Sequence, residues 1–72
     1  MTTMTSPKPE ATFTNNEDQM ESYVYPSTTG AGLFNVTLKD LDSGLYVSGA
    51  KCNITGLDAA KTYAAKIVGV AP

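Results

Sequence analysis

Seventy-two residues carry five lysines, no arginine, seven acidic groups, no histidine, no tryptophan and one cysteine, for a formal net charge of -2. One domain at most is expected at this length. Without imidazole there is no Ser-His-Asp or Cys-His pair, no His-ligated zinc and no histidine acid/base chemistry, and a lone thiol excludes an internal disulfide and an all-cysteine zinc site.

The hydrophobic fraction is 42%, but eight of those residues are alanines, and Val, Ile, Leu and Phe together make only 14 of the 72. A core that thin barely offsets the entropy of ordering the chain, and small domains in this position recruit disulfides, metals or neighbours. Neighbours are the option the composition leaves open, so a homo-oligomer or a chain docked on a larger protein is expected. The lysines Lys8, Lys39, Lys51, Lys61 and Lys66 are scattered, which argues against nucleic acid as a partner. No apolar run suits a membrane span or a leader peptide, so a protein made and kept in a cytoplasm, or assembled there into something later released, is expected.

Residues 1–20 hold Pro7 and Pro9 and, as large apolar groups, only Met1, Met4, Phe13 and Met20. Proline fixes φ and biases the preceding residue toward extended backbone, so this stretch reads as an N-terminal arm, with residues 21–72 as a small β domain. Asn16 to Met20 has the composition for one helical turn, with Asn16 as its cap. Tyr23-Val24-Tyr25 is strand-forming, and Pro26 to Gly32 is a turn region. Phe34, Val36 and Leu38 then alternate with Asn35, Thr37 and Lys39, the clearest period of two in the chain. Asp40 to Gly44 is a turn, Leu45-Tyr46-Val47 resumes extended character, and Cys52 and Ile54 alternate with Lys51, Asn53 and Thr55. On that alternation Cys52 is expected to be a buried, inert thiol.

The last segment supports two readings. Leu57 to Val68 is rich in Ala and Lys, with Asp58 as a fair cap and Gly69 as a stop, which suits a helix. Tyr63, Ala65 and Ile67 also alternate with Ala64, Lys66 and Val68, and the strand is the preferred reading.

The run from Asn53 to Val70 resembles the region joining the fifth and sixth strands of fibronectin type III and related immunoglobulin-like sandwiches. Ile54, Leu57 and Tyr63 stand in the family's order and spacing around a Thr-Gly step. The resemblance implies a tyrosine corner, with the Tyr63 hydroxyl bonded to upstream backbone and Ile54, Leu57, Ala65 and Ile67 facing inward. It covers a third of the chain closely. A full sandwich has further strands, so the implied fold is all-β: a small, reduced immunoglobulin-like sandwich or open barrel with an extended N-terminal arm. The expected core is Phe34, Val36, Leu38, Ile54, Leu57, Tyr63 and Ile67. The expected interface is Phe13, Met20, Tyr23, Tyr25, Val68 and Val70, with Val68 and Val70 on an exposed strand edge.

Asp40 and Asp42 are too few oxygens for a Ca²⁺ loop and read as a solvated turn, and no other pattern suggests a catalytic, cofactor or metal site. The expectation is therefore a non-enzymatic protein without cofactor or small-molecule substrate. By analogy with small immunoglobulin-like modules of viral particles, it would be a virion accessory protein, such as a phage capsid decoration (cement) protein made in the host cytoplasm. It would bind the major capsid or another virion protein as an oligomer. The alternative is a carbohydrate- or protein-binding adhesion module of a surface or tail-fibre protein, touching its target with Tyr23, Tyr25 and Tyr46.

Overall fold

A computed structural model describes residues 8–71. Four strands and one helix follow in chain order: β1 (Ala11–Asn15), β2 (Met20–Pro26), β3 (Leu33–Asp40), β4 (Lys51–Thr55) and α1 (Leu57–Val68). The strands form one open antiparallel sheet in the order β1-β2-β3-β4. Sequential antiparallel neighbours need only short connections, so the sheet is a meander. The fold is mostly β, as expected, with a helix in addition.

The alternation of β3 is used as its sequence suggests. Val36 and Leu38 are buried, and opposite them in register stand Val24 and Ser22 of β2. These four residues share one face of the sheet because side chains alternate along each strand. On that face lies α1, with Ala60, Ala64, Ala65 and Val68 buried. Val24, Val36, Ala60 and Ala64 make the centre of the core, and Ala11, Phe13, Phe34, Ile54, Leu57, Tyr63 and Ile67 pack around it partly exposed. Ser22, the one fully buried polar residue among those described, donates from its hydroxyl to the Ala64 carbonyl at 2.7 Å and so is bonded under the helix.

Several expectations are corrected. Leu57 to Val68 is a helix, not a strand, so the chain is not all-β. Its buried residues recur at Ala60, Ala64 and Val68, a spacing near 3.6 that hides behind the period of two in a segment where alanine suits either. Asp58 lies in the first turn rather than at the cap, which is Gly56. The helix ends at Gly69 in the left-handed region, with Gly69 N donating to Lys66 O and Val70 N to Ala65 O, a Schellman closure. Val68 is accordingly buried on the helix and not on an exposed strand edge.

Within the expected arm, Ala11–Asn15 is β1, paired in unbroken register with β2; residues 1–7 of that arm lie outside the described residues. The stretch after it is the turn of a hairpin, not a helical turn. Asn15 Oδ1 accepts from the backbone of Glu17 and Asp18, and its Nδ2 donates to the Val68 carbonyl at 2.8 Å, tying the hairpin to the end of α1.

Cys52 is exposed. A bulge between Phe34 and Val36 and a left-handed Asn53, at φ 58, break the alternation of β4 and turn the thiol outward.

Candidate functional site

The helix covers one face of the sheet and leaves the other open. By alternation that second face carries Thr12 and Thr14 of β1, Glu21, Tyr23 and Tyr25 of β2, and Asn35, Thr37 and Lys39 of β3. Leu45-Tyr46-Val47 does not form a strand. It runs beside the end of β3, held by an isolated bridge between Lys39 and Tyr46, with Asp40 N donating to Leu45 O and Val47 N to Leu38 O. The bridge brings Tyr46 to the tyrosines of β2: ring centroids stand 6.2 Å apart for Tyr23 and Tyr25 and 6.4 Å for Tyr23 and Tyr46. Lys39 Nζ lies 5.8 Å from the Tyr46 ring centre, within reach of a cation–π contact. Tyr46 is 62% exposed, and beside it Leu45 is 65% and Val47 38% exposed. Three amphipathic rings thus meet on the face of the sheet that the helix leaves open, with Tyr23 and Tyr25 half-buried and Tyr46 exposed. By alternation Leu45 and Val47 point to the other side of their segment.

Glu21 organises the polar side of the cluster. Thr14 Oγ1 donates to one carboxylate oxygen at 2.5 Å, and the Tyr23 hydroxyl donates to the other. The Thr14 and Tyr23 hydrogen bonds hold the Glu21 carboxyl below its ordinary value. The same bond to Glu21, with burial second, pushes the Tyr23 phenol up to about 12. Burial, with Tyr46 nearby, also raises Tyr25.

These shifts set a pH dependence. The depressed Glu21 contributes stability that is present above its unfolded value of 4.5 and is lost as pH falls through the lower folded value. The raised Tyr23 contributes stability that is present below its unfolded value of 10.0 and is lost as pH rises toward about 12. The urea midpoint is expected to fall on both sides of a neutral plateau. Tyr23→Phe should weaken the alkaline limb, leaving the smaller part that the raised Tyr25 contributes, and Glu21→Gln should weaken the acid one. Limbs identical to those of the parent in both variants would refute the assignment.

The remaining expected site residues are dispersed. Phe13 and Met20 are half-buried, Phe13 on the helix side of β1 and Met20 at the start of β2 beside Asp40. Val70 follows the helix. Phe34, Ile54, Leu57 and Ile67 pack round the core beside Val36 and Leu38. Tyr63 stands on α1 rather than on a strand. Its hydroxyl donates to upstream backbone, the Gly49 carbonyl at 2.8 Å, and its ring lies 5.3 Å from Lys51 Nζ. Asp40 uses a carboxylate oxygen to accept from Asp42 N at 2.9 Å within its turn. Among the described residues no group of three His, Cys, Asp or Glu side chains is placed to hold a metal ion, and no helix is long and apolar enough to cross a membrane.

No protein-family model matches the chain, and no curated protein or solved structure matches it at a significant level. The site is therefore read from its own chemistry.

Proposed function

We propose that this chain is a non-enzymatic association module that docks the open face of its sheet on another protein of a larger assembly. The observation that supports the reading is the cluster of Tyr23, Tyr25 and Tyr46 on the sheet face that the helix leaves open. Tyrosines bury large area at low entropic cost and keep a hydroxyl for the partner, which is why they concentrate at the centres of interfaces. In its most specific form the reading is a decoration protein bound to the outside of a viral shell, an analogy with other small β modules.

A glycan is the competing partner, and two features disfavour it. The rings are tilted against one another by 35° and 58°, so they do not make one flat stacking platform. The Glu21 carboxylate, the natural acceptor for sugar hydroxyls, is already engaged by Thr14 and Tyr23.

The test is co-sedimentation of the purified chain with viral shells assembled from a major capsid protein. Saturable binding is expected, weakened about 30-fold or more by Tyr46→Ser, the size of an interface hot spot. The urea midpoint of that variant should barely move, because Tyr46 is 62% exposed. Absence of saturable binding, or full binding by Tyr46→Ser, refutes the proposal, and selective binding on a glycan array would transfer the face to the adhesion reading.

A further inference from the structure

The two edges of the sheet are built differently. β4 is blunted: its ladder with β3 is interrupted by a bulge, Asn53 is left-handed, and the strand opens on Lys51. Bulges and edge lysines are devices that turn a strand edge away from foreign strands. β1 has none of them. Its residues Ala-Thr-Phe-Thr-Asn include no charge and no proline, they pair with β2 without a break, and among the described residues β1 has a strand neighbour on that side only.

Beside this unguarded edge runs a groove of about 550 Å³ between strand and helix, lined by Glu10 to Phe13 on one side and by Asp58, Lys61 and Thr62 of α1 on the other. Ala11 and Phe13 face the core and are still partly exposed. Open main-chain hydrogen-bonding capacity and an incompletely covered apolar strip therefore lie side by side, which are the two requirements for strand addition.

We infer that this edge joins two copies of the chain: β1 pairs antiparallel with β1 of a second copy across a two-fold axis perpendicular to the sheet. Three observations select a second copy as the occupant. Antiparallel pairing of like edges closes both at once, the isologous arrangement in which one surface serves as its own partner. Residues opposite each other in such a pair share a face, so Ala11 and Phe13 of both copies meet on the helix side and cover one another. The groove also carries both signs, Glu10 and Asp58 against Lys61, and the two-fold brings the lysine of each copy toward the acidic pair of the other. An extended partner of a single charge sign would meet repulsion from one part of that rim.

The product is a continuous eight-stranded sheet made of two four-stranded ones, with both helices on one side and both tyrosine faces on the other. The pairing is independent of what the tyrosine face binds.

The test uses the full chain under reducing conditions, so that the exposed Cys52 forms no disulfide. Native mass spectrometry and sedimentation velocity should show a dimer. Amide exchange followed by NMR should show every β1 amide protected in concentrated samples, with alternate ones exposed on dilution. Lys61→Glu should weaken the dimer about 10-fold or more, and the full exchange Glu10→Lys, Asp58→Lys, Lys61→Glu should restore it. A monomer at about 0.5 mM, far above a micromolar dissociation constant, overturns the proposal. So does a dimer whose alternate β1 amides exchange as fast as in dilute samples. Tyr46→Ser should remain dimeric, which keeps this outcome separate from that of the docking face.

Discussion

Ala64→Leu is expected to cost about 3 kcal/mol or more and to replace a sharp unfolding transition with a broad one, because overpacking a closed core costs about 1–3 kcal/mol even where neighbours can shift. At Ala64 they cannot shift easily. The residue is fully buried in the cluster with Val24, Val36 and Ala60, and its own carbonyl is held by the Ser22 hydroxyl beneath it. The small side chains of α1 let the helix backbone sit close enough for that bond to form. A leucine must therefore lift the helix, break the Ser22 bond and open the core together. A domain of this size has about 4–11 kcal/mol of total stability at 0.05–0.15 kcal/mol per residue, so the loss is a large share of it. Ala59→Leu is the control: it lies on the exposed side of the same helix and should change stability by about 0.5 kcal/mol or less. Urea denaturation followed by circular dichroism checks both, and equal midpoints for Ala64→Leu and the parent would show that the helix does not pack as described.

Gly56→Ala is the second large effect, expected at about 1–3 kcal/mol of destabilisation from backbone conformation alone. Gly56 turns the chain from β4 into α1 at φ 90 and ψ 139, a region that side-chain-bearing residues avoid. An added Cβ would meet nothing within 4 Å, so steric crowding from the fold does not confuse the result. The turn is pinned on both sides, with Gly56 N donating to Gly32 O at 2.9 Å and Ala60 N to Gly56 O at 3.2 Å. The strained angle cannot relax without loosening the first turn of the helix or its link to the loop before β3. An unchanged urea midpoint would mean that the chain passes from strand to helix by another route.

Both sites lie in the half of the molecule where reading the residues alone goes astray. The strands around Val24 and Val36 announce themselves because one face must be apolar and the other wet, and a period of two is a local property of the chain. The segment from Leu57 to Val68 satisfies two periods at once, since alanine is small enough to serve as buried or exposed in either. The decision came from the sheet, which offered Ala60, Ala64 and Val68 a face to cover. β1 shows the same dependence on context. Ala11 to Asn15 has too few apolar side chains to suggest an element, and becomes a strand because β2 presents an edge to it.

The candidate site was only partly legible. Tyr23 and Tyr25 stand out as aromatic residues of one strand, but their meeting with Tyr46 depends on the bridge from Lys39, a contact with no local signature. Asn15, which caps the hairpin turn and the end of α1 together, was missed because its second partner, Val68, is far along the chain. The bulge in β4 likewise left no mark from which the exposure of Cys52 could be read.

Composition and periodicity by themselves determined a small β-rich chain with a thin core, no imidazole chemistry and one clearly two-faced strand. Those properties depend on residue type and on neighbours within a few positions. The helix over one face, the guarded and unguarded edges and the gathering of three tyrosines were decided only by the tertiary structure. Each depends on which distant residues share a surface, and that is settled by the packing of the whole chain at once.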